Sequence, residues 1–226
     1  MDSKKDSLLI CENELSYILI GAGGHAKVIV DILTEEKKKI TGFFDDKKTE
    51  FENLKYLGTT DDLLKEKAGY LHQYRFIIAI GSCSQRKTMY NKLELPDDCY
   101  GNAVHPNAYI SKNAKIRKGT VVMANVVVNS SANVGKHSIL NSSSVIEHDN
   151  KLGDFVHVSP GCHLAGEVSV GEGTHIGIGT NCIQQINIGD WCIIGAGSVI
   201  LKDIPDHTLS YGVPVKIMKE GINCEF

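Results

Sequence analysis

The sequence predicts a small parallel α/β domain followed by a parallel β-helix. Three observations carry this reading: strand and helix signals that alternate up to about residue 105, a six-residue beat of aliphatic residues from Ile110 to Ile200, and a small residue two positions before most beats. Residues 1–15 read as an N-terminal extension, 16–105 as the α/β domain, 106–204 as the β-helix and 205–226 as a C-terminal tail. The extension carries Lys4 and Lys5 but only a short apolar patch before Glu12 and Glu14, too short for a signal peptide or a membrane span.

In the α/β part, Tyr17–Ile20 reads as a strand entering Gly21-Ala22-Gly23-Gly24-His25, and Ala26–Leu33 as the helix after it. Ile40–Phe44 is a second strand, ending at Asp45-Asp46. Thr60–Lys67 is expected to be helical with Thr60 or Asp61 at its cap. Arg75–Ile80 closes a third strand on Gly81, Ser84–Leu93 reads as a third helix, and a fourth strand is expected to end at Val104. Repeated βα units imply a parallel sheet with right-handed crossovers.

The spacing Gly21-x-Gly23-x-x-Ala26, with a strand before it and a helix after, suits a phosphate. Glycines let the backbone approach, and the helix N-terminus offers free N–H groups. Asp45 and Asp46 lie where an acid can bind a ribose hydroxyl. NAD is possible, but about 90 residues lack the second half of a dinucleotide fold, so a mononucleotide fits better. A tight turn would also want glycine for its own sake.

From Ile110 to Ile200 every sixth residue is Val, Leu or Ile, except Cys182. Neither helical nor alternating periodicity gives such a beat. A short strand followed by a sharp corner does: the aliphatic residue points inward and the small one fits beneath the turn. Three such units close a triangular coil, and the segment holds about five coils. The residues preceding the inward positions point outward in three columns: Val121, Ile139, His157, His175 and Ile193; Val127, Val145, His163, Asn181 and Val199; Lys115, Asn133, Lys151, Ser169 and Asn187. Two faces are therefore expected to expose apolar residues, which marks interfaces and suits a three-fold ring.

A net charge of −3 gives no basic surface for nucleic acid. The seven cysteines show no metal-type spacing, and Cys162, Cys182 and Cys192 fall on inward repeat positions, as small core residues of a reducing, cytoplasmic compartment. His148, two residues past inward Ile146, projects from a corner beside Asp149. A histidine titrates near neutrality and a neighbouring carboxylate orients it, which suits a general base. A solvated corner histidine would look the same.

The repeat is that of left-handed β-helix hexapeptide acyltransferases, and Gly212-Val213-Pro214-Val215-Lys216 resembles the element that follows their last coil. Residues 16–218 resemble one group in particular: bacterial nucleotide-sugar acetyltransferases of the UDP-4-amino-sugar N-acetyltransferase and sialic-acid O-acetyltransferase type. These join a small Rossmann-like domain to a left-handed β-helix. The resemblance rests on the Gly-x-Gly-His turn, the paired Asp, Ala79-Ile80-Gly81, and Ser144-Val145-Ile146-Glu147-His148-Asp149.

That resemblance implies an acetyl-CoA-dependent, metal-free transfer to a UDP-linked 4-amino-sugar, made by a homotrimer with active sites at subunit boundaries. His148 would be the base and Asp149, where relatives often carry Glu, its partner. Gly23, Gly24, His25, Asp45, Asp46 and Gly81 would hold the nucleotide-sugar, and His157, Ile178 and Ala196 the acetyl-CoA. His175 is expected to be structural, while His137 and His163 receive no role. A hydroxyl acceptor, as in sialic-acid O-acetylation, and a non-catalytic sugar-nucleotide scaffold are the alternatives. A serine acetyltransferase lacks such a front domain, and a zinc carbonic anhydrase of this fold needs a histidine spacing absent here.

Overall fold

The computed structural model describes residues 15–71 and 73–222, so the expected extension lies, but for Leu15, outside the described residues. Four parallel strands, β1 (Ser16–Ile20), β2 (Ile40–Phe44), β3 (Tyr56–Gly58) and β4 (Tyr74–Ile78), form one sheet in the order β3-β2-β1-β4. Helix α1 (Gly24–Glu35) follows β1, α2 (Thr60–Tyr70) follows β3 and α3 (Cys83–Leu93) follows β4. Alternation along β1 divides the core. Leu19 packs with Ile29 and Leu33 of α1 on one side, and Ile18 and Ile20 pack with Leu63 and Leu93 on the other.

Two sequence expectations change here. The fourth strand of this sheet is Tyr56–Gly58 rather than a strand ending at Val104, because Val104 pairs with Val122 in the β-helix. The α2 cap lies one residue earlier than expected. The Thr59 hydroxyl accepts from Asp62 N at 3.2 Å, and Asp62 Oδ2 accepts from Thr59 N at 3.0 Å, a reciprocal capping box.

The rest of the chain is a left-handed parallel β-helix of two-residue strands stacked in three sheets. The outward columns read from the sequence are the register pairs of those sheets: His157 pairs with Ile139 and His175, Val145 with Val127 and His163, and Lys151 with Asn133 and Ser169. Inward residues from Val122 to Ile200 are buried. The small residues lie beneath the corners, and two threonines among them pair their hydroxyls there. Thr120 Oγ1 donates to Gly135 O at 2.9 Å, and Thr174 Oγ1 to Gly189 O at 2.7 Å. The first sheet begins at Ala103–Val104 and takes in Leu209–Gly212, after which Val215–Lys219 folds back antiparallel.

The first outward column is not an exposed face. Val121 and Ile139 are buried in a core that runs on to Ile29 and Leu33 of α1, and Ile193 is buried against Ile222. The chain covers this face with its own α/β domain and its C-terminal residues, so of the two columns with apolar residues the second stays open, beside the polar third.

Helix α3 is the rivet of that arrangement. Its Arg86 is 1% exposed and has no carboxylate partner among the described residues. The guanidinium instead donates to His137 O at 2.6 Å and Phe155 O at 2.8 Å on the β-helix, and to Ile80 O and Gly81 O, both at 2.9 Å, after β4. His137 and Phe155 stack 5.4 Å apart beneath Tyr90 and Tyr100, so His137 is part of the interdomain core. Lys136 Nζ, bonded to Tyr90 Oη at 2.8 Å, closes the edge.

Candidate active site

A cavity of about 610 Å³ opens where the strands of the α/β sheet end. Its floor is Gly21–His25 and the start of α1, and Ala79–Ser82 forms one wall. The position is the one where parallel α/β sheets bind ligands. Gly23, Gly24, His25, Asp45, Asp46 and Gly81 all line it, so the structure brings the six expected substrate residues together.

The two aspartates are already engaged. Asp45 accepts from the backbone N–H groups of Ala22, Lys47 and Lys48, each at 2.8 Å, which ties the glycine turn to the loop after β2. Burial raises the Asp45 pKa, but those three donors outweigh it and hold the carboxyl below its ordinary value. Asp46 accepts from Thr60 N at 2.8 Å and from the Thr60 hydroxyl, and Lys92 Nζ reaches that hydroxyl at 2.6 Å. These acids shape the cavity rim.

Residues that sequence reasoning passed over supply another wall: Gln85, Thr88, Met89 and Lys92 of α3. Their spacing of three, one and three is that of one helix face, so the signal was present. Arg86, Tyr90 and Leu93 face the other way, and α3 serves the cavity and the domain interface at once.

His25 stands at the inner end of the cavity. Its Nε2 is buried without a hydrogen-bond partner among the described residues. Burial, reinforced by the Arg86 charge, takes its pKa down to about 3, so the ring is neutral at pH 7. His157 lies close by on the first sheet, where Asn141 Nδ2 donates to its Nε2 at 3.1 Å. Burial first, then the His175 and Arg86 charges, holds His157 well below the ordinary histidine value. His175 stacks on His157 at 4.7 Å, and its Nε2 lies 2.8 Å from Ser159 Oγ.

The corner between the first and second sheets carries Ile178 and Ala196, eighteen residues apart and one above the other. Ile178 is 57% exposed, a large apolar side chain left in solvent. With His157 just before the same corner, the three expected acetyl-CoA residues share one edge of the coil.

His148 lies elsewhere, at the corner between the second and third sheets. In a triangular coil that corner is opposite the first sheet, which the α/β domain covers, and His148 is not among the residues lining the cavity. Its Nδ1 is 2.8 Å from Asp149 Oδ2. An ionised carboxylate only accepts, so Nδ1 carries the proton and Nε2 presents a lone pair. The Asp149 hydrogen bond, against a weaker opposing effect of burial, raises the His148 pKa. Asp149 has a φ of +61°, a left-handed conformation that Asp tolerates better than most residues, and this turns its short side chain back onto the preceding ring. Among the described residues no group of three or more His, Cys, Asp or Glu side chains could hold a metal ion, and no helix is long and apolar enough to cross a membrane.

Residues 17–93 match the PglD N-terminal domain family. Over 109 residues the chain is 39% identical to UDP-N-acetylbacillosamine N-acetyltransferase of Bacillus subtilis (strain 168), a match spanning 47% of this chain and half the length of that curated relative. Two solved structures are similar over nearly their whole length. One is a histidine-to-asparagine mutant of perosamine N-acetyltransferase from Caulobacter crescentus, in complex with CoA and GDP-perosamine. It has a TM-score of 0.84 and 33% identity, covering 91% of this chain and 97% of that one. The other is the acetyltransferase domain of PglB from Neisseria gonorrhoeae FA1090, with a TM-score of 0.83 and 33% identity, covering 90% and 99%.

Proposed function

Because the chain belongs to the bacterial nucleotide-sugar, hexapeptide-repeat N-acetyltransferase family of PglD, PglB and the perosamine acetyltransferases, we propose that it moves an acetyl group from acetyl-CoA to the amine of a nucleotide-linked amino-sugar. The observation that carries this reading is that one chain holds both a cavity at the strand ends of its α/β domain and a hydrogen-bonded His148–Asp149 pair on a β-helix corner. A UDP-linked 4-amino-dideoxy sugar is the preferred acceptor. Support for it comes from the UDP-sugar named for the B. subtilis relative, while the C. crescentus relative is named for a GDP-sugar.

The cavity holds the nucleotide through the glycine turn and the α1 N-terminus, with His25 Nε2 at its inner end. The pantetheine arm runs along the edge of His157, Ile178 and Ala196. The neutral amine attacks the acetyl carbonyl, and His148 Nε2 takes its proton as the tetrahedral intermediate forms. The carbon–sulfur bond then breaks, the amide remains on the sugar, and the departing thiolate takes the proton held by His148, so that CoA leaves as the thiol and the base is neutral again. Since His148 sits opposite the covered face, the base for each cavity comes from a neighbouring subunit of a homotrimer, packed through the open second face. A cytoplasmic setting, where acetyl-CoA and nucleotide-sugars are available, goes with this chemistry.

The test is CoA thiol release from acetyl-CoA with a panel of UDP-, GDP- and dTDP-linked amino-sugars, free sialic acid and serine. Release with a UDP-linked 4-amino-sugar is the expected result. Release with sialic acid alone would move the chemistry to a hydroxyl acceptor and overturn the N-acetyl reading.

A further inference from the structure

The ring of His148 lies across the next coil, over Gly166, which stands eighteen residues on in the same corner position. A Cβ added to Gly166 would fall 2.5 Å from both Cε1 and Nε2 of His148, and 3.2 Å from Cδ2. The edge of the ring that would meet it carries the nitrogen free of Asp149.

The backbone does not require glycine at this position. Gly166 is not among the positive-φ residues of the chain; in this corner the left-handed conformation falls on the following residues, Ser131, Asp149, Glu167 and Gln185. Ser130, His148 and Gln184 occupy the equivalent place in other coils with full side chains. Space for the neighbouring ring is what remains to explain a glycine at 166.

From this we infer that Gly166 is a positioning residue for the base: it is the seat on which the His148 ring lies while its Nδ1 stays on Asp149. The inference rests on the reading of His148 as the general base. An alanine there leaves the turn intact. The ring, more than half exposed and free to rotate, must swing outward to clear the methyl group, losing either its Asp149 hydrogen bond or its aim at the substrate.

Gly166→Ala is expected to keep the wild-type melting temperature, with KM for acetyl-CoA and for the amino-sugar nucleotide little changed. The same variant should lower kcat about 10- to 100-fold, the range for a misplaced catalytic group. Titration of the His148 ring by NMR should show its pKa falling toward the ordinary value as the ring leaves Asp149. A kcat within about twofold of wild type, well short of the roughly tenfold loss that the misplacement estimate sets as its lower end, together with an unmoved His148 titration, would overturn the proposal. His148→Ala separates the two readings. If that variant keeps its activity, the base assignment fails and the NMR titration alone still tests the seat. If it loses activity while Gly166→Ala does not, only the seat is wrong.

Discussion

His148→Ala lowers kcat by about 10²- to 10⁴-fold, the usual contribution of a positioned general base, while the cavity of the α/β domain still binds nucleotide. The two effects separate because His148 and the cavity occupy opposite sides of one chain and share no lining residue. The pH profile carries a signed expectation as well. The base acts in its neutral form, so activity falls as pH drops through the His148 pKa, which the Asp149 hydrogen bond raises. The acid limb therefore lies above the ordinary histidine value of about 6.5. In Asp149→Asn the carboxylate charge is gone, the imidazolium loses its main stabiliser, and the limb moves to lower pH. Steady-state kinetics on the wild type and on Asp149→Asn across about pH 5–9, which brackets the ordinary histidine value, would check this. An acid limb that moves upward, or does not move, would contradict the assigned pair.

Arg86→Met is the second large effect, and it falls on stability. Four backbone carbonyls, two in each domain, lose their shared donor. A buried ion can sometimes be exchanged for an apolar residue at no cost, provided that its partners are exchanged with it. Backbone carbonyls cannot be exchanged. At about 1–3 kcal/mol for each buried acceptor left unpaired, the loss is at least about 4 kcal/mol. Native stabilities are only about 5–15 kcal/mol, so much of the protein should appear unfolded or insoluble. Arg86→Lys, keeping a charge but not the fork of donors, should fall between. Urea denaturation followed by circular dichroism measures both. A loss below about 1 kcal/mol for the methionine variant, less than one unpaired acceptor usually costs, would show that the rivet is not needed.

What the sequence could reveal follows from how local each feature is. The β-helix repeats one local rule, an inward aliphatic residue every sixth position and a small one under each corner, and Val122 to Ile200 obey it in the structure. The glycine turn, with a strand before it and a helix after it, is equally local. Exposure is not: Val121 and Ile139 look like an interface stripe until the α/β domain folds over them. The short strand Tyr56–Gly58 has too few residues to show a period. Arg86 gave no signal because its partners are main-chain carbonyls up to 69 residues away. The hydrogen bonds that Asp46 accepts from Thr60 come from a residue fourteen positions on, a pairing that no local pattern displays.

One subunit's cavity is expected to be served by another subunit's His148, and subunit complementation decides it. His148→Ala chains with one affinity tag are co-expressed with His25→Ala chains bearing a second, and doubly tagged trimers are purified through both. Each homotrimeric variant should be nearly inactive. If every site joins the cavity of one chain to the base of the next, one site in each mixed ring is intact, and the mixed species regains about a third of wild-type activity. Mixed trimers no more active than their parents would place the cavity and its base within a single chain and contradict the account.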